Sequence, residues 1–379
     1  MPVPYRARTL GNNAMAIRLT NLQIVRGLAA LFVVLSHAAL ETRSITHNLG
    51  LPPLLHETAL WTAAVDIFFV MSGFILLYMS YGQFAKPGAS VEFFVRRLVR
   101  AVPLYWTLTT ILLVGGWIVP SLLNVPITDP LHVLSSYLFW PHPRGEGELR
   151  PVLALGWTMN LEFMFYTVLA LALALPLRWG VAFATAVLAG FVAWANLAQS
   201  PPVAVRFWGS AMTLDFILGF AIAIAFHRGI RMSATVAGLA CLAALAVMLT
   251  IATPEPGGFH WFFVISIPAA VIVAAAVLAP QCKVAAPTTR AGVLLGDACY
   301  SIYLLQPFVL RPTAVAWTAL VGNAVSLWVF VGVAAAAALG GGLLCYLLFE
   351  KPLTAVLNRR VKAWEQRRHA SARALQPAE

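Results

Sequence analysis

Residues 22–40 read LQIVRGLAALFVVLSHAAL, an apolar run broken by two ionisable residues, Arg26 and His37. A helix needs about 20 apolar residues to cross the hydrocarbon core of a bilayer, and this stretch is of that length. Arg26 and His37 are eleven residues apart, almost a whole number of helical turns, so a helix places both on one face, about 16 Å apart along its axis. Charged and titratable groups inside a lipid-spanning helix are costly. The pair therefore predicts a functional site that faces a cavity and finds partners on other helices.

The rest of the chain has the same character. Its 379 residues are 60% hydrophobic and only 10% charged, with a mean hydropathy of +0.82. Soluble domains carry about 25% charged residues. Apolar runs recur near 21–40, 60–81, 97–119, 156–175, 179–198, 208–227, 234–252, 261–279, 292–311 and 324–349. They are continuous rather than alternating, which argues against a β-barrel. The expected fold is an all-α integral membrane protein with about ten transmembrane helices and both termini cytoplasmic. Residues 1–20 form a cytoplasmic N-terminal segment, 21–353 the transmembrane domain and 354–379 a basic cytoplasmic tail. The short amphipathic segment 129–140 is expected at the interface.

The net charge of +11 follows from topology and calls for no nucleic-acid partner. Of 25 Lys and Arg, Arg26 lies within a span; with the N-terminus inside, 19 fall on inner segments and five on outer ones. That split follows the positive-inside rule and fits an even number of spans. The first span leads into nine more and reads as a signal anchor, not a cleaved leader. The tail sequence RRVKAWEQRRH suits the anionic lipid surface. Cys241, Cys282, Cys299 and Cys345 show no metal-ligand spacing, and neither a zinc motif nor a nucleotide-binding glycine loop is present. No metal is expected.

Orientation converts spans into depths. His37, Asp66, Glu162 and Asp215 fall toward the outer side, and Arg26, Arg97 and Arg100, with Arg96 beside them, toward the cytoplasm. Asp297 is also placed near the cytoplasm. A histidine close to a carboxylate suits general-base catalysis. An arginine cluster suits phosphate oxygens, which the guanidinium fork matches. Packing histidines, helix-start carboxylates and topology-setting arginines are the plainer alternatives for each residue.

Six motifs give the chain a resemblance. LQIVRGLAALFVVLSH has the spacing R-x10-H at Arg26 and His37. VDIFFVMSGF carries Asp66 and Ser72-Gly73-Phe74, and FFVRRLVRAVPLYW carries Arg97, Arg100 and Pro103. GWTMNLEFMFY carries Trp157, Glu162, Phe165 and Tyr166. GDACYSIYLLQPF and YLLFEKPL close the series. In this order, from residue 22 to 353, they resemble the acyltransferase-3 family of membrane acyltransferases, nearest its exopolysaccharide-modifying type. Cys299 stands where that family commonly has serine, and Gln306 where it commonly has histidine.

The resemblance implies transfer of an acyl group from acyl-coenzyme A, a co-substrate and not a resident cofactor, to a hydroxyl of an exported or cell-surface glycan or lipid-linked sugar. Acetyl, hence acetyl-coenzyme A, is the first expectation; succinyl and longer groups stay open. His37 is then the catalytic residue, and Arg97 and Arg100 bind the donor. On the depths above, Arg26 guides the donor and neutralises its charge or that of the oxyanion. Asp66 or Glu162 orients His37, and Tyr166 and Asp215 are candidate substrate-binding residues. An acyl-enzyme is less favoured, because Ser36 points about 100° away from His37 and Ser72 sits in a helix-packing motif. The polar connection 120–155, with His132, His142, Arg144, Glu146, Glu148 and Arg150, is a candidate for acceptor recognition. The expected setting is a bacterial inner membrane, with membrane lipids and polysaccharide-export machinery as partners. The main rival is a transporter or flippase for a glycan or lipid precursor, although the hydropathy shows no internal repeat. A non-catalytic export partner is a third reading.

Overall fold

The structure is a computed structural model that describes residues 19–54, 63–118, 129–144, 147–250 and 258–374, with side chains described to 370. Most of the predicted N-terminal segment, with Arg6, Arg8 and Arg18, lies outside the described residues, as do Glu146 and 375–379. Among the described residues there is no strand. In order, the helices are α1 (Thr20–Leu49), α2 (Ala63–Ser80), α3 (Ala89–Ile118), α4 (Pro130–Tyr137), α5 (Trp157–Ala172), α6 (Leu177–Leu197) and α7 (Val203–Trp208). They continue as α8 (Leu214–His227), α9 (Ala234–Thr250), α10 (Phe259–Trp261), α11 (Ile267–Leu278), α12 (Pro287–Leu320), α13 (Leu327–Cys345) and α14 (Lys351–Ala374).

Each predicted apolar run overlaps a helix. Among the described residues seven helices are long and apolar enough to cross a membrane: Thr20–Leu49, Ala63–Ser80, Ala89–Ile118, Leu177–Leu197, Phe259–Leu278, Pro287–Leu320 and Leu327–Ala370. Ala211–His227 and Ala234–Thr250 are shorter apolar helices. Trp117, Leu197 and Leu320 are almost fully exposed on the outside of the bundle. In water such side chains would be a liability, whereas lipid matches them.

Two helix pairs position the site. The most extensive interface joins α1 to α12. Gln23 meets Gly296, Arg26 meets Cys299 and Glu41 meets Arg311, so the numbering rises together and the two helices run parallel. Glycine is needed at this seam, because a Cβ on Gly27 would lie 2.6 Å from the Gly292 carbonyl oxygen. The second pair is α2 with α8. Gly73, from the SGF motif, faces the Phe216 backbone, and Phe216 in turn stacks on Phe165 of α5 with ring centroids 4.1 Å apart. Small residues allow such close backbone approach where lipid supplies no hydrophobic force between helices.

Two helices contain a π-helical turn, Phe262–Ser266 between α10 and α11 and Tyr346–Glu350 between α13 and α14. Each ends on a buried polar residue, Ser266 and Glu350, that bonds to another helix. Past the second turn the chain continues as α14 without a break. Glu365 of α14 takes two bonds from Arg96 of α3, at 2.7 and 2.8 Å, and His369 lies 2.9 Å from Glu92. The segment expected as a basic tail is therefore docked on α3 along one face. Arg359, Arg360, Lys362 and Arg367 remain exposed.

This packing makes Gly73 intolerant of one methyl group. Gly73→Ala is expected to destabilise the protein by about 1–3 kcal/mol through overpacking. Gly238→Ala, where an added Cβ meets nothing within 4 Å, should not. Thermal melting of the detergent-purified variants checks this, and equal melting temperatures would contradict the α2–α8 contact.

Candidate active site

A cavity of about 450 Å³ opens between α1, α2, α3, α5, α12 and α14. Helical spacing explains what faces it. Arg97 and Arg100 are three residues apart on α3, Glu162 and Tyr166 four apart on α5, and Cys299 and Tyr303 four apart on α12, each pair sharing one face. Arg26 enters from α1, Ser72 from α2, and Thr354 and Asn358 from α14.

The polar groups are matched to one another. Arg26 donates Nη1 to Gln23 Oε1 at 3.3 Å and Nη2 to Cys299 Sγ at 3.0 Å. Glu162 accepts from Ser72 Oγ at 3.0 Å and from Tyr166 Oη at 2.7 Å. Arg97 lies within electrostatic reach of Glu162 and of its like-charged neighbours Arg96 and Arg100; its Nε has no hydrogen-bond partner among the described residues. Arg100 is attracted by Glu350, whose carboxylate accepts from Ser301 of α12. Such a lining of guanidinium groups within an apolar bundle can hold an anionic, phosphate-bearing ligand.

His37 lies eleven residues beyond Arg26 on α1 and is not among the residues lining this cavity. The imidazole faces Gln306 of α12 and lies within electrostatic reach of Arg150. Tyr303 stands between the two regions. It lines the cavity, donates to the Leu155 carbonyl at 3.0 Å and is also within reach of Arg150. The segment before α5 is strapped to α4: His132 Nε2 bonds to the Arg150 carbonyl at 2.9 Å, and the Val152 N–H donates to Ser136 Oγ at 2.9 Å.

The sequence grouped Asp66, Glu162 and Asp215 with His37. The structure distributes them differently. Glu162 belongs to the arginine cavity. Asp66 is fully buried against α10 and α11, where its Oδ1 accepts from Trp261 Nε1 at 2.9 Å and Ser266 Oγ at 2.8 Å. Asp215, also fully buried, faces Asp66. Span edges fix depth along a helix but not direction around it, so three carboxylates at similar depth separate into two places. Cys299, which stands where the resembled family commonly has serine, touches Arg26. The motifs assign no role to Glu350, Gln306 or Glu365, each of which the structure places against a polar partner. The signal for the last was a lone carboxylate amid the basic residues of the tail. Among the described residues no group of His, Cys, Asp or Glu is arranged to hold a metal ion.

A family model described as "Acyltransferase domain" matches residues 19–347. The chain is similar to an exopolysaccharide production protein, ExoZ, of Rhizobium meliloti (strain 1021), with 30% identity over 307 residues, covering 79% of this chain and 91% of that one. It is also similar to the acyltransferase MdmB of Streptomyces mycarofaciens, with 27% identity over 384 residues, covering 91% and 94%. No solved structure matches it.

The bonds made by Asp66 separate holding the fold from acting on His37. Asp66→Ala leaves two buried donors unpaired, at about 1–3 kcal/mol each, and should sharply lower the melting temperature. Asp66→Asn keeps an acceptor oxygen and should retain most of the stability. An Asn variant as unstable as the Ala variant would contradict this assignment.

Proposed function

The chain belongs to the acyltransferase-3 family, and from that premise we propose that it is a membrane-embedded O-acyltransferase that moves an acyl group, acetyl first among the candidates, from cytoplasmic acyl-coenzyme A to a hydroxyl of an exported or cell-surface glycan. The observation that carries this reading is the cavity that brings Arg26, Arg96, Arg97 and Arg100 together inside an apolar bundle. Repulsion among these cations is relieved by an anionic ligand, and planar guanidinium groups match the phosphates of a nucleotide donor. The name of the Rhizobium meliloti relative supports a glycan as the acceptor class.

In this mechanism Arg97 and Arg100 hold the donor phosphates. The pantetheine arm runs along Arg26 and past Tyr303 toward His37, a distance of about 16 Å on α1. His37 takes the proton of the acceptor hydroxyl, whose oxygen attacks the thioester carbonyl. The carbon–sulfur bond breaks, and coenzyme A leaves with the proton that His37 had taken. Glu162 and Tyr166 line the donor side, with the Tyr166 hydroxyl held on Glu162. The acceptor, a glycan or lipid-linked sugar, enters from the side of α4 and the 150–153 segment bonded to it.

The parallel packing of α1 and α12 supports the ten-span reading. Parallel neighbours require an odd number of crossings between them. Of the seven long helices, four lie between α1 and α12; adding α5, α8 and α9 gives the odd number. With both termini inside, the arginine cavity opens to the cytoplasm of a bacterial inner membrane, and the acceptor side faces the polysaccharide-export machinery.

His37→Ala, expressed at wild-type level in membranes, is expected to lose acylation by about 10²–10⁴-fold, the typical contribution of a general base. Arg97→Ala should raise the KM for acyl-coenzyme A about tenfold or more, the cost of one lost charge-assisted contact, and leave acceptor dependence nearly unchanged. Mass spectrometry of the surface glycan and initial rates with radiolabelled donor measure both. Wild-type acylation by His37→Ala defeats the mechanism, and glycan movement without covalent change identifies a carrier instead.

A further inference from the structure

Gln306 occupies a position whose local chemistry fixes its side chain. The next residue, Pro307, has no backbone N–H, so the Tyr303 carbonyl four residues earlier loses its helical partner. In an apolar bundle that carbonyl needs another donor. Gln306 supplies it, with Nε2 donating to Tyr303 O at 3.1 Å. A carbonyl only accepts, so the amide orientation is decided and Oε1 is the end left over. The residue is fully buried, and Oε1 has no hydrogen-bond partner among the described residues. The parallel register of α1 and α12, with Arg26 on Cys299 at one end and Glu41 on Arg311 at the other, brings it to the level of His37, whose imidazole it neighbours.

We propose that Gln306 is the positioning residue for His37. Its Oε1 accepts the N–H of one ring nitrogen, fixes the tautomer and the ring plane, and leaves the lone pair of the other nitrogen for the acceptor hydroxyl. This rests on the reading of His37 as the base. It replaces the carboxylates expected in that role, because Asp66 is engaged by Trp261 and Ser266, and Glu162 by Ser72 and Tyr166. The other charged groups around His37 do not compete for it. Glu41, one turn further along α1, is held by Arg311 of α12 at 3.4 Å, and Arg150, in the segment before α5, is a cation within electrostatic reach of the ring and offers it no acceptor. The orienting group is thus a neutral amide. During turnover the proton passes from acceptor to His37 and on to the departing coenzyme A, so the amide need not exchange one.

The test uses the full-length detergent-purified protein, acetyl-coenzyme A (or succinyl-coenzyme A if the wild type prefers it) and native membranes as the acceptor source, following thiol release. Gln306→Leu removes the acceptor oxygen. It should lower kcat by about tenfold or more, as losing the orienting partner of a catalytic histidine does, with KM for the donor unchanged. Gln306→Glu keeps an acceptor oxygen, adds charge and gives up the bond to the Tyr303 carbonyl. It should retain activity at high pH while the acidic limb of its kcat profile moves up by about one pH unit, because a carboxylate favours the imidazolium. If the Leu variant fails to fold, the Glu profile decides alone. A wild-type kcat for Gln306→Leu, or an unmoved acidic limb for Gln306→Glu, overturns the proposal while His37→Ala remains inactive. Activity in His37→Ala would instead remove the parent reading.

Discussion

The parallel, backbone-close pairing of α1 with α12 is the constraint on which the site depends. Gly27 and Gly296 let the two backbones meet without intervening side chains. At that separation Arg26 reaches Cys299, and eleven residues on His37 faces Gln306. Between apolar helices in lipid, van der Waals packing and a few polar contacts hold the pair, because the hydrophobic effect adds little. A side chain inserted at the seam would part the helices and loosen both polar contacts together. Catalytic geometry and helix packing are therefore one requirement here.

The second constraint is the cost of buried charge. Several carboxylates in this bundle accept from hydroxyl and indole donors: Asp66 from Trp261 and Ser266 at one oxygen, Glu162 from Ser72 and Tyr166, Glu350 from Ser301, whereas both oxygens of Asp215, facing Asp66, find no hydrogen-bond donor among the described residues. Four arginines, Arg26, Arg96, Arg97 and Arg100, are gathered on one cavity. Arg97 has Arg96 and Arg100 as like-charged neighbours and Glu162 as an opposite charge within reach. Glu365 restrains Arg96 from α14 through a bidentate pair. A cluster of like charge is retained where a ligand of opposite charge completes it, and this links the folding cost of the cavity to its use.

Much of the fold was legible because lipid imposes a simple rule. Every backbone group must be satisfied within its own helix, so long apolar runs identify helices directly. Spacing also worked locally: Arg26 and His37 lie on the same continuous helix, Arg97 and Arg100 share a face, and Glu162 lies one turn from Tyr166. What did not show was direction around each helix. Asp66 and Ser72 are six residues apart on α2, so one meets Trp261 while the other meets Glu162 in the cavity. The π-helical turns were also hidden, since one extra residue in a turn leaves no mark on hydropathy, yet each rotates a buried polar group toward a partner. Composition showed α14 as basic; its docking face is set by Glu365 on Arg96 and His369 on Glu92.

The two departures from the resembled motif fall on one face of α12, and each is opposite one member of the Arg26–His37 pair. Cys299 offers sulfur, a weak acceptor, to the Arg26 guanidinium. Arg26 is thereby held at the cavity wall between Gln23 and Cys299. Seven residues further, almost two turns, Gln306 offers an amide oxygen where histidine is common, and Pro307 fixes which end of the amide is presented. The same helix face thus sets the donor end with a weak partner and the catalytic end with a rigid one. A substitution at either position acts on its own end, because the ~10 Å of helix between them is held by Tyr303 and its bond to Leu155.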